Sequence, residues 1–326
     1  MSASAQDLPP LFAPPGMNTN DNWFALDGDV THAFFLQRPD HGGDAATGFP
    51  NVGHVTSRDL WHWEDHGTAL FPIRGTWNDI SIATGSIARH DGKWWMAYTA
   101  RGSKVSGVGM AVSDDLFRWE KVGDRPVVPC GKVHEAIWEG KPVRWVFLAD
   151  PYLFPEPVDG WYWMALNSRD VDAPVPEAGC VTLMRSRDMM NWESAAVMAY
   201  PKWFERLETP QMWEHGGRWY LYFGGAHDEG IPEIYTEMTG ITRMPARVNA
   251  VFIGETLEGP YRPVGDWKLD IPGAPWWYIA KVLPGPGGRE AMIVTAQGRI
   301  SWPYAVSYAE DGSVVVEGTL PYSGRE

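Results

Sequence analysis

A polar turn followed by an alternating aromatic strand occurs five times along this chain of 326 residues, and that repetition restricts the possible folds more than any other feature. The copies are Gly28-DVTHAFFLQ, Gly92-KWWMAYTA, Gly160-WYWMALN, Gly217-RWYLYFGG and Gly288-REAMIVTAQ. Their glycines stand 64, 68, 57 and 71 residues apart. Each copy reads as a hairpin turn feeding a buried strand, because β-branched and aromatic residues follow the turn. A second element trails the first three copies: SRDLWHWE at Ser57, SDDLFRWE at Ser113 and SRDMMNWE at Ser186, with ETLEGPYRP at Glu255 in the fourth. The pattern Ser-x-Asp-hydrophobic-x-x-Trp-Glu predicts a tight turn tied by its Ser and Asp side chains, with the Trp closing over the strands.

Five units of roughly 60–70 residues, each with several short strands, predict an all-β fold: one five-bladed β-propeller of four-stranded antiparallel blades. The expected blades are approximately 18–72, 77–130, 145–200, 205–265 and 272–325, in a single domain over 1–326 with no C-terminal β-sandwich. Gly (35) and Pro (27) form roughly a fifth of the chain, which suits many tight turns, and no long 3.6-residue periodicity is evident.

Composition narrows the partners. A formal charge of −14 argues against a phosphodiester ligand, which needs a basic face. No apolar run reaches membrane-spanning length, and the opening MSASAQDLPPLFAPPG has no basic-then-apolar leader, so the expectation is a cytoplasmic protein. The two cysteines, Cys130 and Cys180, fit no zinc spacing, nor do His134, Glu135 and His215, so neither a transition metal nor a cofactor is expected, while a structural calcium ion in the central channel is left open. Blade cores account for most of the 19 tryptophans, but aromatic faces also suit the C–H faces of a small-molecule saccharide. Oligomeric state is left open.

In a propeller the innermost strand of each blade lines the axis, and here it should lie just before each repeated glycine. Those segments contain Asn20-Asp21-Asn22-Trp23, Ala149-Asp150-Pro151-Tyr152 and Leu207-Glu208-Thr209-Pro210. Asp21, Asp150 and Glu208 precede their glycines by 7, 10 and 9 positions, and near-equivalent places in a closed ring converge. One such acid alone is more simply a turn residue; three in register point to glycoside cleavage, which needs one protonated carboxyl and one carboxylate.

These residues also carry a resemblance to a known group. The chain resembles the five-bladed furanosidases, closest to the catalytic domain of glycoside hydrolase family 32 and more distantly family 43. Asn20-Asp21 stands where the family's Asn-Asp-Pro-Asn-Gly motif has its nucleophile. The stretch from Val52 through His54 to Glu64 is similar to Trp-Gly-His-…-Ser-x-Asp-Leu-x-x-Trp. Thr84-Gly85-Ser86 is similar to Ser-Gly-Ser, Ala149-Asp150-Pro151 to Arg-Asp-Pro, and Glu208-Thr209-Pro210 to Glu-Cys-Pro. The resemblance implies a retaining double displacement on a furanoside, with a β-fructofuranoside favoured. Asp21 would then be the nucleophile, Asp150 the transition-state stabiliser and Glu208 the general acid/base. The chain departs from the motifs at Asn22-Trp23, Ala149 and Thr209.

Trp23, His54, Trp77, Asp79, Ser86 and Arg206 are the candidate substrate contacts, with Asn78, Trp276, Trp277 and Lys281 as further wall residues. Two other functions fit the same pattern: an inverting arabinofuranosidase or xylosidase of the family 43 kind, and a sugar-binding propeller without turnover.

Overall fold

The repeated glycines close hairpins, as their sequence context requires. The computed structural model describes residues 8–40, 51–242, 247–271 and 277–322. In three hairpins both turn residues are left-handed: Asp91 and Gly92 at φ +47° and +77°, Asp159 and Gly160 at +52° and +70°, Gly216 and Gly217 at +58° and +77°. Two successive positive φ angles match the right-handed twist of the flanking strands, and Asp-Gly or Gly-Gly tolerates them.

The hairpins build five antiparallel sheets in chain order, arranged as the blades of a propeller. Blade 1 contains Met17–Asp27, Val30–Pro39, Asn51–Ser57 and Glu64–Leu70. Blade 2 contains Ser81–His90, Lys93–Arg101, Gly107–Ser113 and Glu120–Val122. Blade 3 contains Lys141–Leu153, Tyr162–Asp170, Gly179–Ser186 and Trp192–Ala199. Blade 4 contains Arg206–His215, Arg218–Ala226, Arg247–Gly254 and Arg262–Lys268. Blade 5 contains Trp277–Pro284, Glu290–Ala296, Tyr304–Tyr308 and Val314–Thr319. Three short strands supplement this plan: Val128–Pro129 in blade 2, Val133–Trp138 in blade 3 and Arg299–Ile300 in blade 5.

The first full strand of each blade lies innermost, so the strand preceding each repeated glycine does line the axis. Five apolar clusters fill the five seams between blades. Trp145 and Phe147 pack against Met110 and Ala97 between blades 2 and 3, and Phe204 with Leu207 against Leu183 between blades 3 and 4. Each such side chain contributes about 1.5–3 kcal/mol by leaving water. Residues ahead of blade 1 close the ring on blade 5. Phe12 and Ile300 exchange backbone hydrogen bonds of 3.0 and 2.8 Å, and Trp302 Nε1 donates to the Pro9 carbonyl at 2.7 Å.

The Ser-x-Asp turns all fold the same way. Ser57 Oγ accepts from Leu60 N at 2.8 Å and Asp59 Oδ1 accepts from Trp61 N at 2.8 Å. Ser113 with Asp115 repeats both contacts, and Asp188 repeats the second. The apolar fourth residue is left-handed in each (Leu60, Leu116, Met189), which drives it into the blade, and all three are buried. Trp119 and Trp192 close the turn by donating Nε1 to the carbonyls of Leu116 and Met189. Among the described residues no helix is long and apolar enough to cross a membrane.

Candidate active site

All five innermost strands slip register, four near their beginnings and that of blade 3 near its end. The slips fall between Asn20 and Asn22, Ile82 and Gly85, Ala149 and Tyr152, Glu208 and Gln211, and Tyr278 and Ala280. In four of the five a non-glycine residue takes positive φ there: Asp21 (+28°), Asp150 (+61°), Thr209 (+49°) and Ile279 (+65°). An extra residue in one strand bends it and re-aims the side chain at that point. Backbone strain of this kind persists only where the surroundings enforce it, and such places cluster at functional sites. Here the bulges bring Asp21, Asp150 and Glu208, from three blades, within electrostatic reach of one another.

Each carboxyl group has its own partners. Asp21 Oδ2 accepts a short hydrogen bond from the Thr84 hydroxyl of blade 2. Asp150 Oδ2 accepts from Asn167 Nδ2 at 3.1 Å and from Thr209 N at 2.9 Å, while its own N donates to Thr99 Oγ1 at 2.8 Å. Glu208 Oε2 accepts from the Tyr278 hydroxyl at 2.8 Å, and Oε1 lies 3.0 Å from Arg206 Nε. Lys281 reaches in from blade 5, buried, with Nζ donating to the Thr209 carbonyl at 2.8 Å.

Burial sets the protonation of this group. It pushes the Asp21 carboxyl up to about 7, helped by the charges of Asp150 and Glu208; the Thr84 hydroxyl and Lys281 pull it back. Burial, then the charge of Asp150, also raises Glu208, against Arg206, Tyr278 and Arg247. Lys281 is lowered to about 8 by burial, and the charges of Asp150 and Asp21 limit that fall. Both Asp21 and Glu208 therefore bind protons more tightly than ordinary carboxylates, as like charges sharing a dry site must. A site holding one proton among several carboxyls can donate to a leaving group and attack as a carboxylate in the same complex.

The remaining sequence candidates divide. Arg206 joins the carboxylates: besides Glu208 it pairs closely with Asp228, so its charge is shared among protein groups. Trp23 does not present a face at the mouth. Two residues past the bulged Asp21, it is 2% exposed and packs into the seam between blades 1 and 2. Ser86 is likewise structural, donating Oγ to the Pro151 carbonyl at 2.9 Å and accepting from Leu153 N at 2.7 Å, which stitches blade 2 to blade 3. His54 sits away from the axis on the third strand of blade 1, bonded to His32 at 2.9 Å and stacked on Phe34; burial lowers it to about 3. Asp79 accepts from Ser103 N and Oγ at 2.7 and 2.9 Å, and half-buried Trp77 packs on the blade 1–2 core, so both brace the loop before blade 2. Asn78 is also internal, donating to the Tyr98 hydroxyl at 2.9 Å. Trp277 packs in the blade 4–5 seam, and Trp276 lies outside the described residues.

Several site residues escaped the sequence reading: Tyr278, Arg247 and Asp228. Tyr278 precedes a bulged residue just as Glu208 does, so equivalence of register would have exposed it. Arg247 and Asp228 enter from a third strand and a loop respectively and carry no such mark. Beyond the carboxylates the axis continues into a cavity of about 600 Å³, walled by the far halves of the innermost strands. Trp23, Tyr152, Met212 and Leu283 make its walls apolar, and Lys281 stands at its border with the carboxylates.

Comparison with known proteins yields a consistent picture. Residues 12–214, which include all three carboxylates, match the model of the glycosyl hydrolases family 32 N-terminal domain. The chain is 29% identical over 228 residues to a raffinose invertase of Escherichia coli, covering 66% of this chain and 43% of the relative. It is 28% identical over 237 residues to a sucrose-6-phosphate hydrolase of the same organism, covering 68% and 44%. The chain thus spans less than half the length of these curated relatives. Its fold is shared with the β-fructofuranosidase BmSUC1 of Bombyx mori, at TM-score 0.70 and 18% identity over 94% of this chain and 64% of that one.

Proposed function

We propose that this chain, which belongs to glycosyl hydrolase family 32, hydrolyses β-fructofuranosides by double displacement at Asp21, Asp150 and Glu208. Asp21 attacks the anomeric carbon while Glu208 delivers its proton to the leaving oxygen. Water then resolves the fructosyl-enzyme, with Glu208 as the base. Asp150, held by Asn167 Nδ2 and the Thr209 amide, faces the positive charge that grows on the sugar ring. The observation that carries this reading is the asymmetry between the two outer carboxyls. Glu208 is held on both sides, by the hydrogen bond from Tyr278 at Oε2 and by the Arg206 guanidinium charge beside Oε1, whereas Asp21 uses only Oδ2 and leaves Oδ1 without a hydrogen-bond partner. A nucleophile needs a free lone pair; an acid/base needs to be held.

The substrate class follows from the family membership and from relatives named for raffinose, sucrose phosphate and β-fructofuranosides. The test is fructose release from sucrose, raffinose, inulin and levan, beside aryl arabinofuranosides, by the wild type, Asp21→Asn and Glu208→Gln. Fructose release that vanishes in both variants supports the reading. Cleavage of arabinosides alone, or turnover that survives Asp21→Asn, overturns it.

A further inference from the structure

Asp228 lies just past the second strand of blade 4 and binds both guanidinium groups that flank Glu208. Its Oδ2 pairs closely with Arg206, and its Oδ1 lies 2.6 Å from Arg247 Nη1. The two arginines act on opposite sides of the carboxyl. Arg206 Nε stands 3.0 Å from Glu208 Oε1. Arg247 lies over the ring of Tyr278, 5.8 Å from its centroid, and Tyr278 donates to Glu208 Oε2. The ring of contacts therefore closes: Glu208 to Arg206 to Asp228 to Arg247 to Tyr278 and back. Asp228 is itself anchored, because buried Glu205 accepts its backbone amide at 3.1 Å and that of Glu229 at 3.0 Å.

We propose that Asp228 is a positioning residue: by holding Arg206 and Arg247 it limits their action on Glu208, and so sets the pH range in which Glu208 keeps the proton it must deliver. This rests on the reading of Glu208 as the general acid. Two guanidinium groups beside a carboxylic acid favour its ionised form, which is useless for protonating a leaving group. A carboxylate bridging both cations turns part of their field away. The groups facing Glu208 act in both directions. Asp150 favours the proton, as does burial; Arg206, Tyr278 and Arg247 oppose it. The charge of Glu208 acts on Asp21 of blade 1 and on Tyr222, Lys281 stands close by, and His227 faces Arg247.

The experiment reads Glu208 directly, by ¹³C-carboxyl titration of the full chain, and in parallel by the pH profile of kcat/KM on sucrose. Asp228→Asn is expected to lower the Glu208 midpoint by about one pH unit. The basic limb should fall by the same amount, a tenfold rate loss one unit above it, with KM little changed. In an Arg206→Met background the same substitution should move the midpoint less than half as far. Arg247→Met should raise the midpoint, and this arm serves where Asp228→Asn lowers the melting temperature. An unmoved midpoint in both single variants overturns the proposal. So does an equal shift with and without Arg206, or a rise in KM with an unmoved limb, which makes Asp228 a sugar contact. The titration needs no turnover, so a protein that cleaves no fructoside sinks the proposed function while the titration still decides the role of Asp228.

Discussion

Blades 1, 3 and 4 and blades 2 and 5 share one backbone device and put it to opposite uses. All five innermost strands bulge at the same level of the axis. In blades 1, 3 and 4 the bulge delivers a carboxyl group. In blades 2 and 5 it delivers none: blade 2 offers the Thr84 hydroxyl, and blade 5 offers the Tyr278 hydroxyl and the Lys281 ammonium. The difference shows how a buried cluster of three acids is made tolerable. Like charges at close quarters raise one another's proton affinity, and the neighbouring blades return donors and a cation that keep part of the set ionised. The matched family segment ends at residue 214, so the carboxylates lie inside it while Tyr278 and Lys281 lie outside.

Substitutions can break this division of labour, beginning with the acidic blades. Glu208→Gln and Asp21→Asn should each lower kcat/KM on sucrose by about 10³-fold or more, measured by fructose release. A loss under tenfold in either would move the chemistry elsewhere. The supporting blades come next. Lys281→Met removes the cation that lowers Asp21, so Asp21 stays protonated to higher pH. Because the nucleophile must be ionised, the acidic limb should move up by about one unit, a tenfold loss below it. Tyr278→Phe acts on the other limb. Its hydroxyl favours the charged form of Glu208, so removing it raises Glu208 and carries the basic limb upward, with the plateau changing only a few-fold. A Lys281→Met variant that moves the basic limb instead, or a Tyr278→Phe variant that moves the acidic limb instead, would erase the distinction between the two roles.

The smallest effect sharpens the boundary of the site. His54→Asn should leave kcat and KM unchanged while lowering stability by about 1–3 kcal/mol, seen as a melting temperature a few degrees lower. The substitution deletes a buried hydrogen bond to His32 and the stack on Phe34. A changed KM with an unchanged melting temperature would return His54 to the substrate.

What the sequence made legible, and what it hid, follows from the same bulges. The glycine turns and the Ser-x-Asp turns are local, so their residues announce them. The three carboxylates were legible because their offsets from the glycines nearly agree. Side-chain direction along those strands was not. Alternation with period two holds only until the bulge, and one extra residue reverses which face every later side chain takes. Trp23 and Ser86 lie beyond that point: Trp23 packs in the blade 1–2 seam where it borders the axial cavity, and Ser86 ties blade 2 to blade 3. Ile279, β-branched yet left-handed, is held there by surroundings that no local pattern reveals. His54 is a separate case. Its place in a motif said nothing of its distance from the axis, which its position on a third strand determines.

The bond between Trp302 and Pro9 spans 293 residues of chain, and Asn22 reaches Thr295 across 273. Contacts so remote in sequence are entropically the last to form. A nascent polypeptide that has emerged through blade 4 already carries Asp21, Asp150 and Glu208, but its axis is still open along one side. In that state the three charges are hydrated and cost little. They become a dry, mutually repelling cluster only when blade 5 arrives, and blade 5 brings Lys281 and Tyr278 with it. The two counterweights thus belong to the last blade in the chain, the one whose docking completes the ring around the acids.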